Sequence, residues 1–150
     1  MALKRKRKIK TDDLNFKLAQ VAVKGVLVTY DAVTDGFVKL DAAIASPSFT
    51  PDKVVGMLMF DVVDRDFNAL PVNFQKLETG LSGFVRLAKE GEIGTDQLDA
   101  GAVFGPGSGV FLGANGTIAT ATVSPSGERV GTALASVDSD GFVEIYLDID

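Results

Sequence analysis

Short apolar runs broken by turn chemistry constrain this chain more than any other feature. Val26-Leu27-Val28-Thr29-Tyr30 is β-branched and aromatic, as a strand should be. Thr34-Asp35-Gly36 supplies a turn and Phe37-Val38-Lys39-Leu40 a return strand. Asp-Gly between two such runs is a strong hairpin signal. Asp138-Ser139-Asp140-Gly141 repeats that arrangement between Val130–Val137 and Phe142–Leu147. Val110-Phe111-Leu112 and Thr117-Ile118-Ala119-Thr120 flank Gly113-Ala114-Asn115-Gly116, and Asn-Gly favours positive φ. Strands at such spacing, with turn residues between them, predict an all-β fold, a small β-barrel or sandwich.

The remaining segments fit the same class. Leu14-Asn15-Phe16-Lys17-Leu18 alternates with period two. Ala19–Lys24 reads as extended, with Val21 and Val23 on one parity, although Thr11-Asp12-Asp13 could cap a helix there. Val54–Val63 is the most apolar stretch, and Gly56 inside it suits a buried strand with a bulge. Pro47 and Pro51 bracket a loop, Asp64-Arg65-Asp66 with Asn68 marks a turn, and Pro71 begins another extended piece. Phe74–Leu81 has room for a short helix, and Thr95 is placed to cap one helical turn through Leu98. Phe84–Leu87 reads as a strand that gives way to polar Lys89-Glu90-Gly91-Glu92, and Ser124–Gly127 as a turn.

The chain has 150 residues, the length of one ordinary domain, with no Cys, His or Trp. That removes disulfides, Cys/His zinc sites, thiol or histidine catalysis and the Ser-His-Asp triad. Gly105-Pro106-Gly107-Ser108-Gly109 is glycine-rich, but it lacks the spacing and the Gly-Lys-Ser/Thr ending of a phosphate loop. Asp138–Gly141 resembles the start of a calcium loop without the later ligands. Asn115-Gly116-Thr117 matches a glycosylation sequon without a leader to take it to that machinery. The pairs Asp64/Asp66 and Glu90/Glu92 read as solvated turn charge rather than an acid–base couple. No catalytic set, cofactor or metal is therefore expected, and the chain is not expected to be an enzyme.

Charge is unevenly placed. Lys4, Arg5, Lys6, Arg7, Lys8 and Lys10 lie in the first ten residues with no acid among them, while the other 140 residues carry 9 basic and 20 acidic groups. The expectation is a flexible basic N-terminal arm over residues 1–12 on an acidic, β-rich body over 13–150. These six cations are the candidate partner-binding residues. An acidic body repels a phosphate backbone, so an acidic protein surface is favoured over nucleic acid, with a merely solvated tail as the third reading. No apolar run of signal-peptide length follows the arm, and no stretch is apolar enough to span a membrane. Together with the missing Cys, this fits synthesis and assembly in a cytoplasm.

A faint internal repeat adds to this. Val54-Val55-Gly56-Met57-Leu58 and Arg129-Val130-Gly131-Thr132-Ala133 lie 75 residues apart, half the chain. Two related β units, about 13–85 and 86–150, are one reading. The other is that any two strands with a glycine look alike.

Three segments carry a resemblance: Gly101-Ala102-Val103-Phe104 with Val110–Ile118, then Arg129–Leu134, then Phe142-Val143-Glu144-Ile145. Over about the last 50 residues the chain resembles the small tailed-phage capsid decoration (cement, head-stabilising) proteins. The resemblance implies a β-rich, often trimeric virion protein made in the host cytoplasm. Such a protein binds the outside of an assembled bacteriophage capsid and stabilises it by bridging neighbouring major capsid protein subunits. A head-fibre or tail-associated adaptor is the alternative. An internal virion protein whose arm faces nucleic acid is the third.

Overall fold

The computed structural model describes residues 3–40, 53–64, 78–121 and 129–149. The strands are β1 (Leu3–Leu18), β2 (Leu27–Tyr30), β3 (Phe37–Lys39), β4 (Val54–Leu58), β5 (Asp61–Val63), β6 (Glu78–Gly80), β7 (Gly83–Thr95), β8 (Gly109–Leu112), β9 (Ile118–Ala119), β10 (Arg129–Ala133) and β11 (Val143–Asp148). The fold is all-β, as the turn spacing predicts. A single 3-10 turn, Ala114–Gly116, is the one helical element among the described residues. Asn115 and Gly116 take φ of 54° and 78° there, the conformation for which Asn-Gly is suited.

Nine strands form one sheet in the order β1-β3-β2-β4-β7-β11-β10-β8-β9, and β1 also pairs with β7. That extra pairing closes β1, β3, β2, β4 and β7 into a five-stranded barrel, which leaves those strands no open edge where the ring is complete. β7 is the shared element. One of its sides pairs with β1 from Gly83 to Thr95, while the other pairs with β4 at Leu87–Ala88 and with β11 from Glu90 to Thr95. It therefore serves as barrel wall in its first half and as a strand of the second sheet in its second half.

Two apolar clusters follow from this division. Leu18, Val28, Val38, Val55, Leu58, Val85 and Leu87 form one, with Ala22, Val26 and Val62. Leu27, Val54, Met57, Met59 and Ala88 join Ile93, Val110, Leu112, Val130, Val143, Ile145 and Leu147 in the other. Neighbours along β2 and β4 thus go to different clusters, because a strand's side chains leave on opposite faces. A wall with apolar contacts on both faces needs a continuous apolar run, which is why Val54–Met59 is buried throughout.

The expected bulge is present. β2 pairs Val28 with Gly56 and Thr29 with Val54, so Val55 is the extra residue. β10 has the same irregularity: Gly131 faces Val110 and Arg129 faces Phe111, which makes Val130 the extra residue. The two Val-Gly segments singled out by their spacing thus share a local geometry.

Several expectations need correction. The apolar run 54–63 is two strands, β4 and β5, with Met59 and Phe60 between them. The helix considered for Phe74–Leu81 falls partly outside the described residues, and its described end is β6. Thr95 does accept the Gln97 N–H, but Leu98 N–H bonds to Asp96 O and the chain does not wind into a helical turn. In Ala19–Lys24 the parity is reversed: Val21 and Val23 are exposed, and Ala22 is buried where it bridges to Val62. The loop at Pro47–Pro51, the extended piece at Pro71 and the turn at Ser124–Gly127 lie outside the described residues.

Candidate partner-binding surface

The described part of the basic segment, from Leu3, is the first part of β1. The backbone of residues 3–12 continues β1 and lies antiparallel to β7, with Leu3 opposite Thr95, Lys4 opposite Gly94, Lys8 opposite Glu92 and Ile9 opposite Gly91. Arg5, Lys6, Lys10 and Arg7 fall within the same strand. From Leu3 onward the backbone of this segment is extended. The physical reason is the length of β7. Its far half pairs with β11 on one side only, so its other edge at 90–95 offers N–H and C=O groups that the leader satisfies.

The seat is also acidic. Along β11, Val143, Ile145 and Leu147 are buried, so Glu144, Tyr146 and Asp148 leave on the opposite, outer face. Glu92 is opposite Tyr146 and Glu90 is opposite Asp148 in the β7–β11 register. Four acids, Glu90, Glu92, Glu144 and Asp148, therefore share one sheet face beside a strand with six cations. Tyr146 ties the two strands together, its hydroxyl donating to Glu90 Oε1 at 2.9 Å. Lys89 Nζ lies 3.5 Å from Asp13 Oδ2 where the leader joins the barrel.

Two sequence readings change here. Glu90 and Glu92 do not sit in a polar turn but in the middle of β7, held between β1 and β11. Asp148 does not blunt an edge strand, because β11 lies between β7 and β10 and Ile149 N–H continues the ladder to Lys89 O. The acidic face was legible as Glu-x-Glu at 90–92 and Glu-x-Tyr-x-Asp at 144–148, each alternating with glycine or apolar residues. The two segments read as unrelated because their register became visible only in the sheet.

The other candidate motifs have structural uses. Gly105–Gly109 makes a tight turn into β8: Ser108 Oγ accepts the Gly105 N–H, and Gly107 N–H bonds to Ala133 O. Asp138 Oδ1 accepts the N–H groups of Asp140 and Phe142 at 2.9 and 3.0 Å. Its carboxylate thus organises the hairpin turn. Asp64 is exposed at the end of β5, and Asp66 lies outside the described residues.

Two shallow openings lie on the second sheet. One, of about 420 Å³, is lined by Val103, Ser108, Phe111 and Thr120 among others. The second, of about 370 Å³, is lined by Arg129, Gly131, Thr132, Tyr146 and Asp148 and adjoins the acidic face. On the barrel wall, the Lys17 ammonium stands 4.9 Å from the centre of the exposed Phe84 ring. None of the helices among the described residues is long and apolar enough to cross a membrane. No family model matches the chain, and no curated protein is similar to it.

Proposed function

We propose that this protein is a non-enzymatic virion structural protein that attaches to the outside of an assembled phage capsid and stabilises it by bridging neighbouring major capsid subunits. The reading is supported by the resemblance of the C-terminal segments to capsid decoration proteins and by the all-β body. The observation that carries it is the leader: six cations on one strand at the margin of an otherwise acidic body. Lys4, Arg5, Lys6, Arg7, Lys8 and Lys10 are its partner-binding residues, and an acidic protein surface is its complement. A clip with several weak contacts gains from multivalency, since each contact after the first is effectively intramolecular. A trimer is the favoured assembly.

The alternative is a head-fibre or tail-associated adaptor, in which the same leader grips another virion protein. Internal nucleic-acid binding is the third reading, and the acidity of the body disfavours it.

Co-sedimentation with empty shells over a salt series tests the proposal. The expected result is that the protein pellets with shells, and that replacing the six cations by Gln lowers occupancy at physiological salt. Failure to pellet at any salt concentration would overturn it. Binding to mixed-sequence DNA with a steep salt slope would move the assignment to the nucleic-acid reading.

A further inference from the structure

We infer that the leader is an exchangeable strand: residues 3–12 of one copy occupy the 90–95 seat on β7 of a second copy, linking the protein to itself. This does not depend on the capsid reading.

The argument begins with length. Leu3 faces Thr95 and Leu18 faces Gly83, so β1 uses 16 residues where β7 uses 13. The excess appears at the shifts between Lys4 and Lys8, Ile9 and Thr11, and Asp13 and Phe16, whereas between Thr11 and Asp12 the extra residue is Lys89 of β7. The β7–β11 ladder runs over the same stretch of β7 from Glu90 to Thr95 without any shift. Over 90–95 the extra residues are therefore the leader's, while Gly91 of the seat holds a φ of 144°. The leader's excess has a mechanical source. Phe16, Lys17 and Leu18 are fixed in the barrel between β7 and β3, and from that anchor the leader must follow β7 as β7 leaves the barrel. A strand arriving from another copy has no such anchor on this barrel and is free to pair in continuous register.

Leu3 and Ile9 are the only large apolar residues from 3 to 12. The backbone pairing with β7 is the same whichever copy supplies the strand. A hinge stands at the right place: Asn15 N–H bonds to Asp13 Oδ1 at the last shift before the barrel, turning the chain locally. Exchange of an identical element is a low-cost route to an oligomer. The occupant is a second copy because each copy that releases its strand leaves a seat whose acidic neighbours complement that strand in charge.

The chain has no cysteine, so engineered pairs report directly. Lys8→Cys and Glu92→Cys are made in separate full-length chains, mixed and oxidised, and linked species are resolved without reductant. Lys8→Cys mixed with Ser139→Cys, in the exposed hairpin turn, measures random collision. The expected result is a disulfide-linked heterodimer of the Lys8→Cys and Glu92→Cys chains, many-fold above that control and reduced by high salt. A yield no greater than the control, with the Lys8→Cys/Glu92→Cys double variant closing within one chain, overturns the inference. Sedimentation of the unmodified chain gives a second check: a monomer at every concentration also overturns it. Neither measurement involves shells, so its failure is separate from failure of the capsid proposal.

Discussion

Gly56 of β4 lies directly against Ala88 of β7: a Cβ built on Gly56 would stand 2.9 Å from the Ala88 carbonyl oxygen and 2.9 Å from Leu87 Cβ. Neither contact is the flexible end of a side chain, so the barrel wall must shift to admit a methyl group. Gly131 of β10 is placed in the same way against the Tyr146 carbonyl of β11. Both glycines follow the extra residue of a bulge, which turns the strand toward its neighbour. Gly56→Ala and Gly131→Ala are each expected to lower stability by about 1–3 kcal/mol, the usual cost of overpacking. Gly131→Ala should be the worse of the two. Denaturant midpoints of the two variants unchanged from the parent would refute this.

Thr29 and Thr95 make a contrasting pair of buried hydroxyls. Thr95 Oγ1 donates to Gly25 O at 3.0 Å and accepts the Gln97 N–H at 3.1 Å, which fixes the end of β7 to the turn that precedes β2. Thr29 Oγ1 is buried without a hydrogen-bond partner among the described residues. An unsatisfied buried polar group costs about 1–3 kcal/mol, and an apolar group of the same shape removes that cost. Thr29→Val should therefore raise the melting temperature, while Thr95→Val should lower it. Calorimetry showing the same sign for both would contradict the assignment.

How much of this was legible depends on whether a signal was local. The Asp35-Gly36, Asn115-Gly116 and Asp140-Gly141 turns were, because φ preference acts within two residues. The bulge at Val55-Gly56 was, because glycine in an apolar run has few other uses. The length of β7 was not. Lys89-Glu90-Gly91-Glu92 has the composition of a loop, and only pairing on both sides keeps it extended. The extended backbone of the leader was hidden for the same reason: high charge and little apolar surface predict disorder. What overrides that is a strand edge far away in the sequence, with acids beside it. The six cations were therefore found by composition, while their backbone placement and their acidic neighbours required the sheet.

The Asp138 turn gives a local test. Its Oδ1 accepts two backbone N–H groups, and its own N–H and C=O bond to Phe142 O and Gly141 N–H. Asp138→Ala removes the first two bonds and leaves the backbone pair. At about 1 kcal/mol net per hydrogen bond, and less at an exposed turn, the expected loss is about 1 kcal/mol. Asp138→Asn should recover most of it, since an amide oxygen also accepts. Equal losses for Ala and Asn, read from unfolding midpoints, would show that charge rather than hydrogen bonding holds the turn.

Removing residues 1–12 separates the leader's role from the barrel's. Phe16 opposite Val85, Lys17 opposite Phe84 and Leu18 opposite Gly83 remain, as do the β1–β3 pairs Lys17–Phe37 and Leu18–Val38. The five-stranded ring stays closed through these pairs. The shortened chain is thus expected to unfold cooperatively with a midpoint near that of the parent. The edge of β7 at 90–95 is then bare, and an uncovered edge pairs with other chains. Hydrogen exchange should quicken at those amides of Gly91–Thr95 that faced the leader, while those facing β11 keep their protection, and aggregation at high concentration should rise. Loss of cooperative unfolding would show instead that the leader is part of the core structure, whereas unchanged exchange along β7 would show that it never covered that edge.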